Sequence, residues 1–183
     1  MTVKPKRRPR WKNGSIVKIP LDDGRHAYGL LRPDPLVAVL DIPPTTEELD
    51  VERIANAPVL FSVWVMAYAL KEWPIAGWRP LPEHLDKKDS FVKRDPLSGV
   101  ITIYESGVER PPRPGEAETL EIAGVWDPEH VRERIQDHYA GRPNLSVESH
   151  RNYIRTGSGK VDLALFTARG GVVPQPPGLT AAR

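Results

Sequence analysis

No cysteine occurs among the 183 residues. A disulfide framework, a thiolate zinc site and a cysteine nucleophile are therefore excluded. The lack of thiols is compatible with a reducing compartment, and a cytoplasmic location is the expectation. Long apolar runs are also missing. The longest, residues 57–70, is interrupted by Pro58, Ser62 and Tyr68, falls short of the ~20 residues that span a bilayer, and reads as a core strand. No membrane partner is expected. The basic start leads into no apolar stretch of the kind an export signal needs. HExxH and GxSxG patterns are absent, and Gly157 to Lys160 lacks the spacing of a phosphate-binding loop. No acid occurs before Asp22.

That last gap exposes an uneven charge distribution behind a formal net charge of +2. Residues 1–21 carry seven Lys or Arg, and residues 144–183 carry five basic residues against two acids. The body, residues 22–143, holds 14 basic and 22 acidic residues. An acidic body attracts basic partners and repels nucleic acid.

Residues 1–10, rich in Pro and Arg, have too little apolar content to fold and read as a flexible basic arm. A domain is expected over 11–150, and residues 151–183 read as a disordered tail. Within the domain, residues 15–20 and 27–31 form two β-rich runs around Asp22-Asp23-Gly24, a hairpin signal because Gly24 supplies a positive φ. Residues 36–42 are apolar on both faces and predict a central strand. Thr45 to Ile54 suggests a short helix. Residues 59–70 predict a further strand with Trp64 in the core, and 73–80 an edge strand interrupted by Pro74. Residues 100–105 follow the turn at Asp95 to Gly99 and predict another. Residues 106–119 read as an exposed loop. The clearest helix spans 127–140, with Asp127 as N-cap, Pro128 in the first turn, Val131 and Ile135 on one face, and Gly141 closing it. The fold class is mixed α+β: an antiparallel, strongly twisted or barrel-like sheet with a C-terminal helix packed on it.

Candidate chemistry is sparse. The five histidines show no metal-ligand spacing, and no metal or cofactor is expected. Asp22, Asp23, Asp95 and Asp127 sit where turns and caps favour aspartate. Asp41 falls inside an apolar run and reads as a structural hydrogen-bond acceptor. No catalytic residue is assigned. For partner binding, the candidate surface is the acidic loop set Asp22, Asp23, Glu47, Glu48, Asp50 and Glu52, with Trp73 and Trp78 as aromatic anchors.

Several blocks resemble a known family. Arg10-Trp11-Lys12-Asn13-Gly14 through Asp22-Asp23-Gly24-Arg25-His26-Ala27-Tyr28-Gly29 looks like the opening of the immunity protein 26 family. The resemblance continues through Val39 to Ile42, Ala57 to Val65, and Phe91 to Tyr104. It closes with Val125 to Val131 and His138 to Asn144. It implies a protein of bacterial polymorphic toxin systems, one that binds and neutralises a cognate toxin and performs no catalysis. With the acidic body, it makes a basic, nuclease-type toxin the expected partner, occluded through the acidic set and its tryptophans. The alternative is a nucleic-acid-associated regulatory module acting through the cations and Trp11 of residues 4–12.

Overall fold

The first hairpin forms where the sequence alternates and turns. The computed structural model describes residues 12–33, 36–86 and 89–174, so the basic arm predicted over 1–10 lies outside the described residues. β1 (Ser15–Pro20) and β2 (His26–Arg32) pair antiparallel from Ile16↔Leu30 to Pro20↔His26. Gly24 sits at φ +82° in the connecting turn, and Asp23 accepts from the Arg25 amide at 3.0 Å. β3 (Leu36–Leu40) is buried along its whole length, as its unbroken apolar run predicts. α1 (Val51–Ala55) starts later than the sequence suggests: the extended Asp50, not Thr45, caps it by accepting from the Glu52 amide. β4 (Val59–Val65) is shorter than the predicted 59–70, because α2 (Ala69–Glu72) takes over its end. β5 (Ile75–Trp78), α3 (Glu83–Asp86), β6 (Phe91–Arg94), β7 (Ile101–Glu105) and β8 (Val108–Arg110) follow. α4 (Glu116–Thr119), β9 (Val125–Trp126), α5 (Pro128–Tyr139), α6 (Leu145–Thr156) and α7 (Leu163–Ala168) complete the described chain. Residues 106–119, predicted as loop, thus contain β8 and α4.

Six strands form one sheet in the order β5-β1-β2-β3-β4-β9, antiparallel except for the parallel pair β4–β9. The sheet is open, with β5 at one edge and β9 at the other, so the barrel-like alternative gives way to a twisted open sheet. Both faces are buried. Val17, Ile19, Leu31, Val37, Val39 and Val63 pack beneath Trp73 and beneath Val131 and Ile135 of α5. Ile16, Tyr28, Leu30, Ala38 and Leu40 pack against Ile54, Ala55 and Leu85. Each fully buried Leu, Ile or Val contributes about 1.5–3 kcal/mol, and the double-sided burial explains why β3 shows no alternation. α5 follows its signals: Asp127 accepts from the Glu129 amide at 2.9 Å, and Val131 and Ile135 are fully buried.

A second sheet, β6-β7-β8, closes over Val92 and Ile103 with Ile154 of α6. Residues 151–174, expected as part of a tail, carry the end of α6 and all of α7. Asn144 re-initiates a helix directly after Pro143 by accepting from the Val147 amide at 3.1 Å, and Gly157 at φ +78° ends it. Val147 reaches the first core and Ile154 the second, so burial at both ends holds α6 in place. α7 is capped by Asp162, and its Phe166 is fully buried beside Gly171. Residues 175–183 lie outside the described residues.

Candidate partner-binding surface

The segment carrying most of the acidic set is pinned across the first hairpin by backbone bonds. Thr45 and His26 exchange amide hydrogen bonds at 2.9 and 3.0 Å. The Tyr28 hydroxyl donates to the Glu47 carbonyl and accepts from the Leu49 amide, each at 3.2 Å. All six acidic residues are exposed. Three of them face their own cations: Glu48 pairs with Lys18, Glu52 with Arg79, and Asp23 with Arg25. Lys18 holds the Glu48 carboxyl below its ordinary range, and Arg25 does the same to Asp23. Asp50 is occupied as the α1 cap. Asp22 and Glu47 make no side-chain hydrogen bond among the described residues. The net field of this loop set is therefore weaker than its residue types suggest.

The set is also divided in space. Asp22 and Asp23 stand beyond the end of β1, while Trp78 pairs with Ser15 at its beginning. At ~3.3 Å per residue these points are about 20 Å apart. Asp22 faces α5, lining a depression with Glu129 and Glu133. Glu48 and Glu52, by contrast, bracket the path from Lys18 to Arg79, next to Trp78.

The two tryptophans differ. Trp78 is 46% exposed on edge strand β5. Its indole donates to the Asn13 carbonyl at 2.8 Å, and the Lys12 ammonium lies 3.8 Å from the ring centroid. Trp73 is fully buried and is not an anchor. The α2 turn, through the Trp73 amide bond to the Ala69 carbonyl, swings the ring beneath the first sheet before β5 begins.

Asp41 lies just past β3, exposed rather than inside the strand, and accepts from the Tyr139 hydroxyl at 2.9 Å. Burial and this bond push the Tyr139 phenol upward. Among the described residues, no group of three or more His, Asp or Glu converges with metal-binding geometry.

A feature that sequence reasoning missed lies between the two sheets. At the ends of β2, β3 and β4, Arg32, Leu36 and Trp64 are register neighbours and so share one face. They look across at Phe91 of β6 and Tyr104 of β7, enclosing a cleft of about 380 Å³. Trp64, assigned to the core from sequence, is only half-buried there. It stacks on Phe91 with centroids 4.0 Å apart and an interplanar angle of 29°, and meets Tyr104 edge-on at 5.8 Å. Arg32 forms the floor, its side chain 2% exposed. It donates to the Leu85 carbonyl at 2.7 Å and the Ser62 hydroxyl at 3.3 Å, and pairs with Asp89. Asp86 stands exposed at the rim. The wall is finished by the two-residue turn Ser106-Gly107, with φ of +56° and +86°. A tight hairpin connection of type I′ requires positive φ at both positions. The signal available in sequence was one aromatic in each of two short strands, Phe91 in β6 and Tyr104 in β7, but which strands face each other is not local information.

Residues 12–99 match the family model described as Immunity protein 26. The matched segment runs from the residue before Asn13 through β6 to Gly99. It ends short of residues 100–104 and of the Val125 to Asn144 blocks, where the sequence reading extended the resemblance, and these lie outside the match. It supplies the floor of the cleft and most of its aromatic lining, while Tyr104, Ser106 and Gly107 lie beyond it. No curated protein and no solved structure matches the chain.

Proposed function

From the match of residues 12–99 to the family model described as Immunity protein 26, we propose that the chain neutralises a cognate bacterial toxin by binding and covering it. The family match is the observation that carries the reading. The protein acts stoichiometrically in the cytoplasm of the producing cell and performs no chemistry on the toxin. The excess of acid in residues 22–143 favours a basic toxin of the nuclease type, approached by electrostatic steering. Trp78 and the neighbouring Glu47, Glu48, Asp50 and Glu52 form one part of the proposed contact surface. Asp22 and Asp23, at the far end of β1, form a separate contact. The alternative through residues 4–12 gains no support: of that arm only Lys12 is described, and it lies on Trp78.

The test is co-expression with the toxin domain encoded beside this gene. Growth arrest by the toxin is relieved when the chain is present. Continued arrest, with both proteins soluble and abundant, refutes the proposal. Association that is unchanged between low and high salt removes its electrostatic part.

A further inference from the structure

The cleft between the two sheets has the chemistry of a receptor for a guanidinium. Three aromatic rings, Trp64, Phe91 and Tyr104, are already packed against one another, so ordering them costs no further side-chain entropy on binding. The buried Arg32 offers the cleft no spare positive charge. Its donors are committed to Asp89, Ser62 and the Leu85 carbonyl. The effect of those bonds is to hold the Asp89 carboxylate, 31% exposed, at the cleft wall. Asp86 lines the same cleft and makes no side-chain hydrogen bond among the described residues. The described lining thus presents the half-buried rings of Trp64 and Tyr104 over the buried Phe91, with the Asp86 carboxylate beside the neutralised Arg32–Asp89 pair. Aromatic faces attract cations, and a planar carboxylate accepts the paired donors of arginine. Ser106 stands at the wall, its left-handed conformation set by the tight β7–β8 turn.

We propose that this cleft is the anchor site of the protein and takes an arginine side chain projecting from its basic protein partner. The identity of that partner rests on the toxin-neutralising reading; the chemistry of the cleft does not. The matched segment supplies the floor, and Tyr104 with Ser106, beyond it, supplies one wall.

The experiment follows the five indole N–H signals of the full chain by NMR during titration with Nα-acetyl-arginine amide. The Trp64 signal shifts saturably with a dissociation constant of about 1–10 mM, the scale of one anchored side chain. Nα-acetyl-lysine amide binds more weakly, because it lacks the planar donor pair, and Nα-acetyl-glutamate amide leaves Trp64 unmoved. Asp86→Asn, at an exposed position without a side-chain partner, keeps the other indole signals in place and weakens arginine binding about tenfold. Tyr104→Ala serves as the second variant and also weakens it. Absence of saturation up to about 100 mM, equal response to the glutamate probe, or indifference to both substitutions overturns the proposal. Growth protection is measured separately. Protection without arginine binding removes the cleft and leaves the function, and arginine binding without protection does the reverse.

Discussion

Two glycines with the same backbone conformation make a controlled test of how the first sheet is closed. Gly14 and Gly24 both have φ +82°. At Gly24 an added Cβ meets nothing within 4 Å, whereas at Gly14 it lies 1.8 Å from the Arg79 carbonyl oxygen. Alanine in the left-handed region costs about 1–2 kcal/mol, offset by roughly 0.4–1 kcal/mol from the stiffer unfolded chain. Gly24→Ala therefore destabilises by about 1 kcal/mol. Gly14→Ala carries the same cost and also forces the Gly14–Arg79 contact open by more than an ångström. That breaks the Arg79 amide bond to the Gly14 carbonyl at 2.9 Å and the Trp78 indole bond to the Asn13 carbonyl. At ~1 kcal/mol for each bond, the total reaches about 3 kcal/mol. For a chain of this size the expected drops in melting temperature are roughly 2–4 °C and roughly 6–12 °C. Urea unfolding followed by near-ultraviolet circular dichroism gives the difference directly, with an unchanged m-value confirming that stability alone has moved. Equal destabilisation by the two substitutions refutes the close approach of β5 to the start of β1, and with it the placement of Trp78.

Asp89→Asn replaces a charged partner of the buried Arg32 guanidinium by a neutral one and destabilises by about 2 kcal/mol, less than a fully enclosed pair because Asp89 is partly solvated. Glu52→Gln, at an exposed pair, changes chemical-denaturation stability by less than about 0.5 kcal/mol. Ser106→Asn relieves strain in the β7–β8 turn and raises stability by about 0.5–1 kcal/mol, because asparagine tolerates the left-handed region better; a destabilised variant contradicts the turn geometry. Burial holds His26 and His150 below the ordinary histidine value, aided at His26 by Lys18 and at His150 by Arg134. The unfolded chain takes these protons at about 6.5. Stability from these groups is therefore complete above that pH and falls as pH drops below it towards the lower folded values. Melting temperature declines in this window, and His150→Gln flattens the decline. Glu133, raised by burial, acts in the opposite direction in the carboxylate range.

What could be read from the sequence was what local chemistry decides. The hairpin at Gly24, the double-sided burial of β3, the edge position of β5 and the cap of α5 at Asp127 each rest on residues within a few positions of one another. The errors came where distant partners decide. Trp73 sits beside a proline and reads as an edge residue, yet the α2 turn sends it into the core. Trp64 lies in the most apolar run and reads as core, yet it half-emerges because its neighbour is a second sheet. α6 was lost because Pro143 marks an end; the Asn144 cap, with Val147 and Ile154 seven positions apart on one face, was the signal that a new helix begins. The acidic surface was legible as composition, but its pairing with Lys18 and Arg79 depends on which elements lie side by side.

The proposed mode of action is occupation of a toxin rather than its alteration. Titrating the purified chain into a fixed amount of its cognate toxin domain, with residual toxin activity as the readout, tests this most directly. Activity falling linearly to zero at a fixed molar ratio, and returning when the complex is dissociated, is the predicted result. Complete inactivation by a small fraction of an equivalent, or inactivation that persists after separation, contradicts it.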